Sequence, residues 1–182
     1  MKSEQMFFEE SITMEQYMDS MQSLKEESYA IYDAFELPND SMLEKIKEKN
    51  LHVLAISEDW CGDAMLNNPI MRKIAEATSM EIRVAKRDED TTLIDRHLTN
   101  GGRAIPIYLF LNEAGEVVGK WGPRAPQLQQ YVLDKRNSLP DKDDTTFADA
   151  QKNLYASITK DYTTNETFWL DVYHSIVDAL NI

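Results

Sequence analysis

The sequence predicts an α/β protein with a central mixed β-sheet flanked by helices. The first observation is residues 51–56, LHVLAI, a continuous apolar run of strand length. A run without polar alternation is typical of a strand covered on both faces. The second observation is the order of predicted elements over residues 40–137: helix, strand, helix, strand, helix, a two-strand hairpin and a final helix. With 182 residues, 42% of them hydrophobic, the chain is long enough for one well-buried core.

The segment before residue 40 predicts an N-terminal helical extension, residues 1–39. Apolar residues from Met14 to Ile31 recur at spacings of three and four, which predicts one amphipathic helix over about residues 13–35. That helix should end before Pro38, because a residue that precedes proline is disfavoured in helical conformation. Ser41 followed by Glu44 then has the pattern of a capping box at the start of a short helix.

The elements between residues 57 and 137 follow in a regular order. SEDWCGDAM, residues 57–65, leads from the first strand into a helix that runs to about Thr78. MEIRVAKR, residues 80–87, predicts the second strand, and a short helix follows it. Two β-rich runs, 107–111 and 116–121, flank a loop with a glycine and predict a hairpin. The last helix of this region begins at about Pro126.

Beyond Pro140 the composition changes to a polar linker followed by two helical patterns, which form a C-terminal extension over residues 138–182. The second pattern, from Phe168 to Leu180, carries a wide apolar stripe that has to be buried. We expect it to pack back on the same domain, and a homodimer through the terminal helices is the alternative. The domain organisation is therefore one domain, residues 1–182, with a core over 40–137.

The net charge of −13 lies in the two flanks. Residues 1–40 hold 2 basic and 10 acidic side chains, and residues 141–182 hold 3 and 8, whereas the middle is neutral. This charge excludes nucleic acid and anionic membrane surfaces as favoured partners. The first residues do not resemble a signal peptide and no apolar run has the length of a membrane span, so we expect a soluble, cytoplasmic protein.

Four landmarks occur in this element order, over about residues 40–137. Trp60-Cys61-Gly62, in the run WCGDA, stands at a strand-to-helix junction, and Pro69 follows eight residues after the cysteine. Ile105-Pro106 opens the hairpin, and Gly115 and Trp121-Gly122 mark its turn and its end. Together these landmarks resemble the thioredoxin family, which has its active-site cysteine at such a junction and a cis peptide bond at the Ile-Pro position.

The chain departs from the family pattern at two positions. Ala64 replaces the second, resolving cysteine, and Ala55 replaces the buried aspartate that assists it in many thioredoxins. Cys61 is the only cysteine of the chain, so an internal disulfide is excluded. The resemblance therefore implies a monothiol mechanism, in which Cys61 forms a mixed disulfide and an external thiol such as bacillithiol or glutathione releases it. No cofactor is implied, and the three histidines lack metal-site spacing.

The chemistry of Cys61 depends on the charges around it. A cysteine at a helix start lies beside free backbone N–H groups and the positive end of the helix dipole, which favour the thiolate. Asp63 opposes this effect, and four basic residues are candidates to offset it. We expect Cys61 to be the catalytic residue and a cis Ile105–Pro106 bond to shape a binding groove beside it. The alternative is a non-catalytic module that binds protein partners in that groove. The expected binding residues are Trp60, Gly62, Asp63, Ala64, Ile105 and Pro106, and the basic candidates are Lys86, Arg87, Arg103 and Arg124.

Overall fold

The computed structural model describes residues 1–182 and contains a five-stranded mixed sheet. The strand order is β1-β3-β2-β4-β5. Strand β2 is central, runs parallel to β3 and antiparallel to β4, and β5 completes the hairpin with β4. This confirms the predicted α/β fold class. The strands are β1 (Ile12–Thr13), β2 (His52–Ser57), β3 (Ile82–Lys86), β4 (Ile107–Leu111) and β5 (Val117–Trp121).

Nine helices surround the sheet and bury both of its faces. Alternate residues of β2 separate the two layers, because successive strand side chains point to opposite faces. Val53 and Ala55 belong to the larger core, whereas Leu54 and Ile56 belong to a smaller core on the other face. The helices are α1 (Glu4–Glu10), α2 (Met14–Ser20), α3 (Lys25–Ala34), α4 (Met42–Lys47), α5 (Gly62–Ala77), α6 (Thr91–Ile94), α7 (Pro126–Asn137), α8 (Phe147–Thr164) and α9 (Glu166–Leu180).

The single helix predicted over residues 13–35 is wrong, because the chain forms α2 and α3 with a break between them. Leu24 adopts a left-handed conformation at the break, with φ of 57°. The break is held by a contact distant in sequence: the backbone N–H of Gln22 donates to Asp59, at 2.8 Å. Periodicity within one segment does not reveal such a competing bond.

The segment before residue 40 also contributes to the sheet. Strand β1 pairs antiparallel with β3 at the sheet edge, and α1 precedes it. Phe7 and Phe8 of α1 are buried in the smaller core, against β2. The predicted N-terminal extension therefore contains a short edge strand in addition to its helices.

The capping box predicted from Ser41 and Glu44 is also wrong. Ser41 has helical backbone angles and its side chain makes no cap bond. The cap comes from one residue earlier, where Asp40 Oδ1 accepts the N–H of Met42 at 2.9 Å. The sequence pattern identified the helix start and assigned its cap to the wrong side chain.

The two C-terminal helices pack back on the same chain. Helix α9 contacts α4, α5, α7 and β5, and its apolar stripe is buried there. Helix α8 contacts α3, α5 and α7, which places it beside the start of α5. The stripe that had suggested a homodimer is thus covered within one chain. None of the helices is long and apolar enough to cross a membrane.

Candidate functional site

Cys61 lies where β2 leads into α5. It occupies the N-cap position, with φ of −80° and ψ of 121°, and the helix proper begins at Gly62. Its carbonyl accepts the first helical bond, from Met65 N–H at 3.0 Å. Its thiol donates to the carbonyl oxygen of Ile105 across a distance of 3.5 Å. The sulfur is thus held between the helix start and the segment that precedes β4.

The resting state of Cys61 is a neutral thiol. Burial is the main cause that raises the pKa of Cys61 to about 11, and the carboxylate of Asp63 raises it further. The backbone N–H groups of Ala64 and Asp63 and the guanidinium of Arg124 act in the opposite direction and are outweighed. The helix start therefore lowers the pKa of Cys61, as expected, but desolvation raises this pKa by more.

Asp63 connects the start of α5 to the C-terminal region. Arg124 binds both carboxylate oxygens, with Nε at 3.0 Å from Oδ1 and Nη2 at 2.8 Å from Oδ2. The hydroxyl of Tyr162, on α8, donates to Oδ1 at 2.9 Å. Both members of the ion pair are largely buried, with side-chain exposures of 14% and 15%. This bidentate geometry fixes Asp63 and ties α8 to the strand-to-helix junction.

Of the four predicted basic residues, Arg124 acts most strongly on Cys61. Arg124 is the cation that lowers the pKa of the thiol. The others pair elsewhere, because Lys86 binds Glu89, Arg87 binds Asp88 and Arg103 binds Asp95. Arg87 also lies over the ring of Trp60, at 5.1 Å from its centre, and donates to the carbonyl oxygen of Arg103.

The side of Cys61 that faces the hairpin is closed. The Ile105–Pro106 peptide bond is cis, and both residues are buried, with Ile105 only 5% exposed. The Ile105 carbonyl is occupied by the Cys61 thiol. Ala64 is 1% exposed, so its side chain faces the core. Of the predicted binding residues, Ile105, Pro106 and Ala64 are therefore the least accessible to a ligand.

A buried network of neutral polar side chains joins β2, β4, α2 and α5 in the core. The hydroxyl of Tyr17 and the amide of Asn68 both hydrogen-bond Ser57 Oγ, at 3.0 and 3.1 Å. Tyr108 donates to Asn68 Oδ1 at 2.7 Å. Burial raises the pKa of both tyrosines, so the network holds no group that ionises near neutral pH.

A cleft of 580 Å³ opens on the other side of Cys61. Trp60, Cys61, Gly62 and Asp63 line one wall, so four of the seven predicted site residues come together there. Helices α7 and α8 and the turn before α3 form the rest of the lining. Neither Ile105 nor Pro106 lines it. The remaining lining residues are Ser23, Leu24, Arg124, Val132, Arg136, Tyr155, Ile158, Thr159 and Tyr162.

None of the cleft residues from α7, from α8 or from the turn before α3 was predicted as a site residue. Arg124, which precedes α7, was predicted only as a basic neighbour of Cys61. The apolar pattern of α8, which includes Leu154, Tyr155 and Ile158, predicted a buried face, and Leu154 and Ile158 are indeed buried. Tyr155 is 50% exposed although it follows the same pattern, and it projects at the cleft. The exposure of Tyr155 marks it as a cleft residue. That exposure is known only from the way α8 packs on the rest of the chain, so the sequence alone does not reveal it.

No group of three His, Cys, Asp or Glu side chains lies in an arrangement that could hold a metal ion. His52 and His97 hydrogen-bond Gln5 and Glu4 of α1, and none of the histidines lines the cleft.

The comparisons agree with the fold. The family model described as thioredoxin matches residues 11–164, and the chain therefore belongs to that family. Among solved structures, a protein of unknown function from Pseudomonas aeruginosa aligns with a TM-score of 0.64 and 20% identity, covering 98% of this chain and 99% of its own. An HIV epitope-scaffold aligns with a TM-score of 0.57 and 16% identity, over 93% and 98%. At these identities the structures share the fold alone. No curated protein matches the chain.

Proposed function

We propose that this member of the thioredoxin family carries out thiol–disulfide exchange with a single thiol, Cys61. The observation that carries the proposal is the position of that sulfur. It lies at the start of α5 and lines an open cleft, which gives an external disulfide a route to it. This position supports the proposal of a mixed disulfide between the only cysteine of the chain and a second molecule.

The exchange takes two balanced steps. In the first, the Cys61 thiol loses its proton to water, and the thiolate attacks one sulfur of a small disulfide. An S–S bond to Cys61 forms, and the other half of the disulfide leaves as a reduced thiolate. In the second, an external thiolate attacks the outer sulfur of the mixed disulfide, forms a new disulfide with it and returns Cys61 to the reduced state.

The raised pKa of Cys61 determines the rates of these steps. A thiol of pKa about 11 is almost entirely protonated at neutral pH, so the first step should be slow and should accelerate as the pH rises. A high-pKa thiol is also a poor leaving group, so the mixed disulfide should be long-lived. This combination favours retention of a bound thiol over rapid turnover.

The site residues take distinct roles in this proposal. Cys61 is the catalytic residue, while Trp60, Gly62 and Asp63 line the cleft and would contact the substrate. Ile105, next to Pro106, would position the thiol before reaction, because its carbonyl oxygen accepts a hydrogen bond from Cys61. Ala64 would have no direct part in the reaction. Because this position holds no second cysteine, the chain has no internal thiol that could release the substrate.

The second candidate is a non-catalytic thioredoxin-fold module that binds protein partners beside Pro106. The raised pKa of Cys61 favours it, because a protonated thiol reacts slowly. The burial of Ile105 and Pro106 argues against it, because an extended partner chain needs accessible backbone at that position.

The proposal is tested by incubating the reduced protein with 2-hydroxyethyl disulfide at several pH values between 7 and 10. Intact-mass spectrometry should detect one adduct, formed faster at each higher pH and removed by added thiol. The Cys61→Ser variant is the control and should gain no mass. Absence of an adduct at pH 10 would contradict exchange at Cys61 and leave the binding module as the better account.

A further inference from the structure

We infer that the cleft beside Cys61 recognises the carboxylate of a small organic acid, and that Arg136 binds this group. The inference deepens the proposed function and rests on it in one respect: the substrate class becomes a small thiol or disulfide that carries a carboxylate next to an apolar segment. The binding site itself does not depend on any reaction of Cys61.

The charge of the cleft differs from that of the rest of the protein. The chain has a net charge of −13, yet the cleft lining holds two arginines and one acid. The acid, Asp63, has both oxygens bound by Arg124 and accepts a further bond from Tyr162. It therefore presents little free negative charge to an incoming anion. An acidic protein that keeps a locally cationic cleft favours an anionic ligand there.

Arg136 is the available cation of the cleft. Arg124 is held by Asp63 and also donates to Gln129, at 2.8 Å, so its guanidinium is engaged. The side chain of Arg136 is exposed and makes no ion pair or hydrogen bond within the protein. A guanidinium with free donors matches a carboxylate, which it can bind through two parallel hydrogen bonds.

The rest of the lining suits a small ligand with an apolar body. A volume of 580 Å³ lies within the usual range of about 300–1,000 Å³ for small-molecule sites. Trp60 and Tyr155 are each about half exposed, at 52% and 50%, although both line the cleft. Val132 lies one helical turn before Arg136 on α7, and Ile158 faces the cleft from α8. A ligand can therefore bury apolar atoms between the two helices while its carboxylate reaches Arg136.

Binding is tested without any thiol chemistry by using the Cys61→Ser variant and two probes of equal size. These are 4-phenylbutyrate and its uncharged amide, 4-phenylbutanamide, titrated while the indole N–H resonance of Trp60 is followed by NMR. The acid should bind about tenfold more tightly than the amide, the size of effect expected for one charge-assisted hydrogen-bonded pair. Equal affinity for the two probes would overturn the inference.

Matched variants identify the residue responsible. Arg136→Gln, made in the Cys61→Ser background, should lose the preference for the acid. Lys47→Gln, which removes the same charge from an exposed position on α4 outside the cleft, should keep it. Retention of the preference in Arg136→Gln would overturn the assignment. A melting curve for each variant establishes that the fold is intact.

The substrate class is tested separately on the protein that retains Cys61. Adduct formation with 3,3′-dithiodipropionate should exceed that with cystamine, a cationic disulfide of similar size, and Arg136→Gln should remove the difference. Equal rates with both would overturn the anionic substrate class. Failure of both reagents to react, together with an intact preference for 4-phenylbutyrate, would overturn the proposed function and support the carboxylate site alone.

Discussion

Cys61 has two sides, and they differ in almost every physical respect. The hairpin side is closed, because Ile105 and Pro106 are buried and the Ile105 carbonyl already accepts the thiol. The α8 side is an open cleft lined by partly exposed aromatic rings and by arginine. The closed side contains the Ile105–Pro106 landmark at the start of the hairpin. The open side depends on helix α8, which carries none of the landmarks although the family match includes it.

Helix α8 forms part of the wall of the cleft through which Cys61 is exposed. Helix α8 reaches the site through Tyr162, which hydrogen-bonds Asp63 two residues after Cys61. The same Asp63 raises the pKa of the thiol. Helix α8 thus lines the cleft and also contacts the carboxylate that raises the pKa of Cys61.

The largest expected effect is the loss of stability when the buried ion pair between Asp63 and Arg124 is broken. Asp63→Ala leaves Arg124 largely buried without its partner, and we expect a loss of about 3 kcal/mol in unfolding free energy. Urea unfolding measures it. The control is Asp95→Ala, whose pair with Arg103 is about half exposed and should contribute less than about 1 kcal/mol. Equal losses would mean that the Asp63 pair is no more than a surface contact.

The next effect concerns the route through the cleft. Thr159→Trp should fill the cleft from α8 and hinder the entry of 2-hydroxyethyl disulfide. Adduct formation should slow about tenfold or more, the factor that corresponds to the free energy of one lost buried apolar contact. Lys160→Trp adds the same side chain at an exposed neighbouring position outside the cleft lining and should leave the rate unchanged. If both variants reacted like the parent protein, the reagent would be reaching Cys61 by another route.

The rate of Cys61 alkylation should change in opposite directions in two variants. Asp63→Asn removes the negative charge that raises the pKa of Cys61, so the pKa should fall and alkylation by iodoacetamide at pH 8 should quicken about threefold. Arg124→Gln removes a cation that lowers this pKa, so alkylation should slow. Changes in the same direction would show that access, rather than charge, controls the reaction.

The smallest expected effect is the loss of stability when the hydrogen bond from Tyr162 of α8 to Asp63 is removed. Tyr162→Phe removes the hydroxyl that donates to Asp63 and leaves the ring in place, so we expect a loss of about 1 kcal/mol in unfolding free energy. Urea unfolding again measures it, with Tyr155→Phe as the control, because the Tyr155 hydroxyl makes no hydrogen bond within the protein and the residue is half exposed. A loss as large for Tyr155→Phe would remove the special role of the Asp63 contact.

The sequence was sufficient for the fold and for the position of Cys61. The apolar run at residues 51–56 and the hairpin pattern depend on local periodicity, and both elements are where they were predicted. The break at Leu24 and the cap at Asp40 were missed, since each depends on backbone geometry or on a bond to a distant residue. The thiolate prediction overlooked burial, which no local pattern reports. Tyr155 and Arg136 became part of the site only through the packing of α7 and α8.

The most direct test of the account locates a group attached to Cys61. A 2-phenylethyl group joined to Cys61 through a disulfide can be observed by NMR in a protein with labelled methyl groups. We predict nuclear Overhauser effects between the phenyl ring and the methyl groups of Ile158 and Val132, on the α8 side. Contacts with Ile105 in their place would contradict it, because the hairpin side would then be the one that admits the substrate.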